Sequence, residues 1–355
     1  AKPGASPSGP IPTGGKSSNP ALYLDPTLDF PLLETSNTIM AEVLMERQDL
    51  YYRYRTTVTN TGFTFDQCIQ CGLDCADEGI LGCVVGDEES VSLFRDFYGL
   101  VVAKRHGLGP NGRHPTPSPM LIDPTHIKAD SWDPSGNVIL SARLRINRSI
   151  GGFALPPAMD AKERAATEQL LGDGLSGLTG EVAGQYHRLA EMSPEFRQQF
   201  VDEQQLFSSP TSPYFQTTKM GEGWPDGRGF FLSTSREVLA WVNEDDHLKL
   251  MVIKKGGDVK AVVTLMREAV TQLDTYLASK DASFIVDEQF GHITSCPSMW
   301  GTGLKLSLLM KLPHLAALSS FPPSAIAHMG VRVRPEPSGE GLFDVTNARA
   351  MGASE

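Results

Sequence analysis

The chain has 355 residues, with 31 Lys plus Arg against 42 Asp plus Glu, for a formal net charge of −11. That length holds two domains or one large one, and the acidic balance disfavours general nucleic-acid binding while leaving local basic clusters free to take a nucleotide. No apolar run approaches the ~20 residues of a membrane helix.

Residues 1–20 are rich in Gly, Pro and Ser, lack a signal-peptide core, and read as a flexible tail or linker. The first residue is Ala1, which suits a processed chain or an excised domain. Residues 21–105 predict a small all-helical domain, with apolar positions three and four apart in 37–44 and 65–75. Thr64 followed by Gln67 predicts a capping box. A break at 82–90 precedes a helix over 91–98. Cys68, Cys71 and Cys75 share a helical spacing, but no His or fourth Cys completes a tetrahedral zinc set, so with Cys83 they read as core thiols.

Residues 106–136 are rich in Pro and Gly and read as an interdomain linker. From 137 to 355 the pattern predicts an α+β domain, its mainly antiparallel sheet flanked by helices. A strand is expected over 137–146, a hairpin from 229–234 and 238–243, and a third strand over 248–253. A helix over 258–277 follows, then strands at 290–294 and 305–311.

Three segments of this second domain carry chemistry. Arg143 and Arg145 are two apart in a strand and therefore face one side. Two guanidiniums in one cleft are costly without anions, so either phosphate oxygens or surface salt bridges must answer them. Arg228, after the turn Pro225-Asp226-Gly227, has the same two readings. Glu244, Asp245 and Asp246 crowd three carboxylates at a strand end, which calls for a guanidinium or Mg²⁺ nearby. A carboxylate there can orient a guanidino group and accept its proton. Cys296 precedes the turn Gly301-Thr302-Gly303 and Lys305. Gly256-Gly257-Asp258 lacks the lysine and hydroxyl of a phosphate loop, and neither a dinucleotide-binding glycine pattern nor HExxH is present.

In order along the chain, Gly86 to Ser90, Leu140 to Ile150, Trp224-Pro225-Asp226 with Arg228, Asn243 to Leu248, Cys296 with Gly301-Thr302-Gly303, Lys311-Leu312-Pro313 and Phe343 to Asn347 resemble the phosphagen (ATP:guanido) kinase family. The likeness runs from about residue 37 to 352 and is nearer to the creatine kinase branch than to the arginine kinase branch. It implies direct, reversible transfer of the ATP γ-phosphoryl group to a guanidino nitrogen, with Mg²⁺ carried by ATP and water. Ser141, Arg143, Arg145, Lys249, Lys305 and Arg332 or Arg334 would surround the phosphates. Glu244 and Asp245 would hold the guanidinium, Cys296 would sit beside it as a thiolate, and the loop from Asp74 to Leu81 would size the substrate.

Against the family pattern, Lys249 and Lys305 stand in place of arginine, Asp245 in place of glutamate, and Gln204 and Leu309 in place of histidines. The loops at 74–81 and 334–341 are short, and the usual C-terminal helix is absent. Two readings stay open: a working phosphagen kinase with creatine favoured, and a catalytically weakened or inactive domain with a structural or binding role. The expected partners are ATP or ADP, a guanidino compound, and an oligomer or tandem sister domains, with no nucleic acid and no membrane span. The expected setting is cytoplasmic, including a flagellar or ciliary cytoskeletal assembly, with mitochondria not excluded.

Overall fold

The computed structural model describes residues 30–75, 81–109, 112–115, 123–203, 205–318, 326, 328–337 and 341–352. The tail at 1–20, Gln204, and parts of the loops at 74–81 and 334–341 and of the linker at 106–136 lie outside those residues. The first domain is the expected helical unit: α1 (Ile39–Glu46), α2 (Gln48–Tyr54), α3 (Phe65–Asp74), α4 (Glu88–Leu93) and α5 (Arg95–His106). Thr64 accepts from Gln67 N while the Gln67 side chain accepts from Thr64 N, so the capping box forms as read. The helix expected over 91–98 is instead two. Asp87 caps α4 through Ser90 N, and the chain breaks at Phe94 before α5 continues to Gly107, whose left-handed φ of 67° ends it.

The second domain is built on an eight-stranded antiparallel sheet in the order β2-β3-β4-β5-β1-β8-β10-β9. Its strands are β1 (Ile139–Arg148), β2 (Gly184–Arg188), β3 (Gly229–Ser233), β4 (Val238–Val242), β5 (Leu248–Lys255), β8 (Leu304–Lys311), β9 (Val331–Pro335) and β10 (Leu342–Asn347). The two-residue strands β6 (Val286–Asp287) and β7 (Gly291–His292) pair separately. The strand expected over 290–294 therefore shrinks to β7. Gly291, at φ 75°, bends the chain there, and a Cβ on it would meet Gly301 O at 2.7 Å.

The sheet has two unlike faces because its side chains alternate. Ala142, Leu144 and Ile146, with Leu248, Leu250, Val252, Leu304 and Leu308, pack under α6 (Ala161–Ser176) and α9 (Val259–Ala278). On the other face, the half formed by β3 and β4 is apolar. Phe230, Leu232, Leu239 and Met251 are covered there by Phe200 of α7 (Pro194–Asp202) and by Phe207. The remaining half of that face carries the charged residues described below. Two short helices, α8 (Pro213–Thr217) and α10 (Pro313–Ala316), complete the described α-helices, and a 3-10 turn at Pro297–Met299 follows Cys296.

The two domains share one core. Trp300, fully buried, packs 5.2 Å from the ring of Tyr98 in α5 and 4.9 Å from Phe290, and its Nε1 donates to Thr294 O at 3.0 Å. It thus ties the small domain to the loop that carries Cys296. Trp300→Ala should cost about 3–5 kcal/mol, read as a lower urea midpoint in equilibrium unfolding.

Candidate active site

Strand register gathers the basic residues on the uncovered half-face. Arg334, Asp344, Leu309 and Ser141 lie opposite one another across β9, β10, β8 and β1. The next row is Arg332, Thr346, Ser307 and Arg143, then Lys305, Arg145 and Met251, then Asn147, Lys249 and Trp241. Arg143 and Arg145 thus share a face as expected. None of Arg143, Arg145, Lys305, Arg332 and Arg334 has a carboxylate within ion-pair distance among the described residues. Burial and the neighbouring Arg145 lower the Arg143 pKa, and the same two causes lower that of Lys305. Arg145 Nε is buried without a partner, and its Nη2 meets only Met299 Sδ, at 3.7 Å. Asp344, an acid within this field, accepts from Ser307 Oγ at 2.5 Å.

The β4–β5 turn divides its three carboxylates between two tasks. Lys249 Nζ is hydrogen-bonded to Glu244 Oε2 and lies 2.9 Å from Asp245 Oδ1 without hydrogen-bond alignment. The ammonium also sits 5.2 Å over the Trp241 ring. Burial and the adjacent Asp245 push the Glu244 carboxyl up to about 7, against the pull of Lys249. Burial acts the same way on Asp245, but Lys249 and Arg145 outweigh it and hold that carboxyl low. Asp246 points elsewhere, accepting from Asn147 Nδ2 at 2.5 Å and from Ser295 N at 2.6 Å. It thereby anchors the residue before Cys296 to the sheet.

Arg228, singled out in the sequence, and Arg148, at the end of the strand that bears Arg143 and Arg145, prove to be scaffold. Arg228 is 1% exposed and donates to four carbonyls, those of Asn243, Asp226, Met220 and Glu222. Asn243, at φ 56°, is held in turn by Arg164 O and Gly227 O. Arg228 therefore shapes the acidic turn from behind. Arg148 is also buried and donates to Asn147 O and Thr302 O, holding the Gly-Thr-Gly turn rather than joining Arg143 and Arg145. That turn needs its glycines. A Cβ on Gly303 would lie 2.6 Å from Arg148 Nη1, and one on Gly301 2.3 Å from Ala350 O. His247 is core as well, accepting from Ile150 N and donating through Nε2 to Ala154 O, both at 2.9 Å.

Cys296 lines a cavity of about 440 Å³ with Leu81, Arg105, Tyr214, Arg332 and Arg334. Its Sγ lies 3.1 Å from Ser298 Oγ. Burial raises the thiol pKa, Asp246 and Asp245 add to that, and Ser298 only partly offsets it. The resemblance implies a thiolate at this position, and burial acts against that form while Arg105, Arg332 and Arg334 line the same cavity. Leu81 reaches this cavity, whereas Asp74 does not line it. Asp74 accepts from Thr217 Oγ1 at 2.9 Å and ties α3 to α8. Tyr214 and Arg105 carried no sequence signal of their own, since α8 is five residues long and Arg105 sits among other basic residues at the end of α5.

The sequence matches the description "ATP:guanido phosphotransferase, C-terminal catalytic domain" over residues 166–355 and "ATP:guanido phosphotransferase, N-terminal domain" over residues 34–103. It is 35% identical to the testis isozyme of creatine kinase from Oncorhynchus mykiss over 346 residues, covering 94% of this chain and 87% of that one. It is 36% identical to creatine kinase B-type from Gallus gallus, covering 92% and 86%. Among solved structures, lombricine kinase superposes with a TM-score of 0.84 at 27% identity, covering 92% of this chain and 89% of that one. The duplicated taurocyamine kinase of Schistosoma mansoni gives 0.81 at 28% identity, covering 90% of this chain and 44% of that one.

The raised thiol makes a direct prediction. Iodoacetamide should alkylate Cys296 more slowly at pH 7 than a free cysteine of pKa about 8.5. The rate should keep rising beyond pH 9, as read by mass spectrometry of the Cys296 peptide.

Proposed function

The chain belongs to the ATP:guanido phosphotransferase family, and on that premise we propose that it transfers the γ-phosphoryl group of MgATP reversibly to a guanidino acceptor, creatine being favoured. Phosphagen kinase activity is the family's property, and the creatine preference rests on the two creatine kinases above. The observation that carries the reading is the uncovered half-face, where five cations without carboxylate partners adjoin a pair of acids and a thiol. Unanswered guanidiniums in a partly buried cleft are stabilised by phosphate oxygens, which accept paired, charge-assisted hydrogen bonds.

In this reading Arg143, Arg145, Lys305 and Arg332 or Arg334 hold the phosphates, with Ser141 at the rim of the same face. Lys249, between the phosphates and the acids, links the two halves. Glu244 and Asp245 bind the acceptor's guanidinium against Cys296, and Leu81 closes the far wall. Among the described residues no group of three or more His, Cys, Asp or Glu is placed to hold a metal. The face offers cations to the nucleotide's oxygens, so it fits a Mg²⁺ that arrives on ATP, where the ion would neutralise phosphate charge. Catalysis is then alignment and charge stabilisation, with Glu244 accepting the proton that the attacking nitrogen loses.

One observation favours a second reading, a weakened or inactive relative that binds nucleotide in a larger assembly. Lys249 already pairs with both acids, so a guanidinium must displace its ammonium. Asp245 is also one methylene shorter than the family's glutamate. The duplicated taurocyamine kinase supports a tandem arrangement, for which a cytoplasmic or axonemal setting is proposed on the sequence reading alone. Among the described residues, no helix is long and apolar enough to cross a membrane.

The two readings separate in a coupled assay of ADP formation with creatine, arginine, glycocyamine and taurocyamine. Turnover with creatine above the others supports the first, and no turnover with any of them in folded protein overturns it. The carboxylate form of Glu244 is the base and predominates above its pKa of about 7. kcat/KM for acceptor phosphorylation should therefore fall about tenfold per unit as pH drops below that value. Glu244→Gln should lose about 10²–10⁴ of the rate and flatten that limb.

A further inference from the structure

A second basic cleft, of about 630 Å³, lies between the end of α5 and strand β9. Lys104 and Arg105 face it from the small domain, and Arg332, Arg334 and Arg349 from the sheet edge and the chain beyond β10. Lys104 is answered by Glu46 at 2.7 Å and Glu42 at 3.5 Å. The four arginines have no ion-pair partner among the described residues. Arg105 is half-buried, and its pKa is lowered by burial and by Arg332 and Arg334. Arg349 reaches over the end of α5, where a Cβ on Gly107 would lie 3.4 Å from its Nη2. The negative end of a helix accounts for one such cation. It does not account for four guanidiniums converging from two domains.

We propose that this cleft is a binding site for a multivalent phosphate-class oxyanion, beside but separate from the place of the nucleotide. An anion with several oxygens can accept from Arg105 on one domain and, on the other, from Arg349 and from whichever of Arg332 and Arg334 the nucleotide leaves free, which relieves their repulsion and bridges the domains. Guanidiniums suit this task because each presents a planar fork of donors. A single phosphate would leave much of the cleft empty, so the site favours a diphosphate or a longer oligophosphate. The assignment goes beyond phosphotransfer and stands whether or not the protein turns over a guanidino substrate.

The test is calorimetric titration of the whole chain with pyrophosphate, after the nucleotide site has been saturated with MgADP. One saturable site is expected. Arg349→Ala, a change at an exposed side chain, should weaken pyrophosphate at least tenfold and leave MgADP affinity within twofold. Arg105→Ala should weaken it comparably, and Arg236→Ala, remote and paired with Glu203, should not. A second arm adds saturating creatine. Retained binding identifies a free oxyanion as the ligand, whereas displacement identifies the acceptor's anionic end as the occupant of the same arginines. The proposal is overturned if MgADP abolishes pyrophosphate binding in the wild type, or if Arg349→Ala and Arg349→Glu both bind it as the wild type does.

Discussion

The structure depends on an unbalanced charge field. Strand register aligns Arg332 with Arg143, and Lys305 with Arg145, on one half-face of the sheet, and among the described residues no α-helix covers them. Burial first, and then the neighbouring cations, lower the pKa values of Arg143, Lys305 and Arg332, so each additional cation raises the cost of the others. Internal carboxylates would remove that cost, but the nearby acids are committed elsewhere. Glu244 and Asp245 take Lys249, Asp246 holds the Cys296 loop, and Asp344 is tied to Ser307. These arginines, without ion-pair partners among the described residues, are the reason for proposing an anion from outside.

The rest of the architecture keeps that field in place. On the reverse of the sheet, α6 and α9 seal an apolar core, so β1, β5 and β8 cannot shift register without exposing it. Behind the acidic turn, Arg228 satisfies four carbonyls with one buried guanidinium. The Gly-Thr-Gly turn is fixed by Arg148, and Trp300 joins that loop to the helical domain. Charge appears in two roles here. Buried arginines bonded to backbone carbonyls are structural, and arginines on the open face are available for binding. Residue type does not distinguish the two roles; the strand's pleat and the available carbonyls do.

Much of this was legible in the sequence. The capping box at Thr64, the strand bearing Arg143 and Arg145, the hairpin after Gly229 and the long helix after Asp258 all have strong local patterns, and all formed. Helix α6 was missed because its apolar stripe is thin: Ala, Gly and charged residues dominate it, and Gly172 and Gly174 are there to admit Tyr186 and Tyr276. Strand β9 was missed although Val331-Arg332-Val333-Arg334 alternates with period two. Arg228 and Arg148 could not be classified, since their partners are backbone carbonyls contributed from distant turns. The environment of Cys296 was not legible, because it depends on burial and on carboxylates about 50 positions away in the chain, which no local pattern encodes.

The central claim is that the open half-face is an anion site awaiting a nucleotide. Calorimetric titration with MgADP at several ionic strengths tests it most directly. One site is predicted, with affinity that falls as salt screens the exposed cations and that is lost when Arg143 and Arg145 are both replaced by alanine. No binding at low salt, or binding indifferent to salt and to those two arginines, would contradict the account.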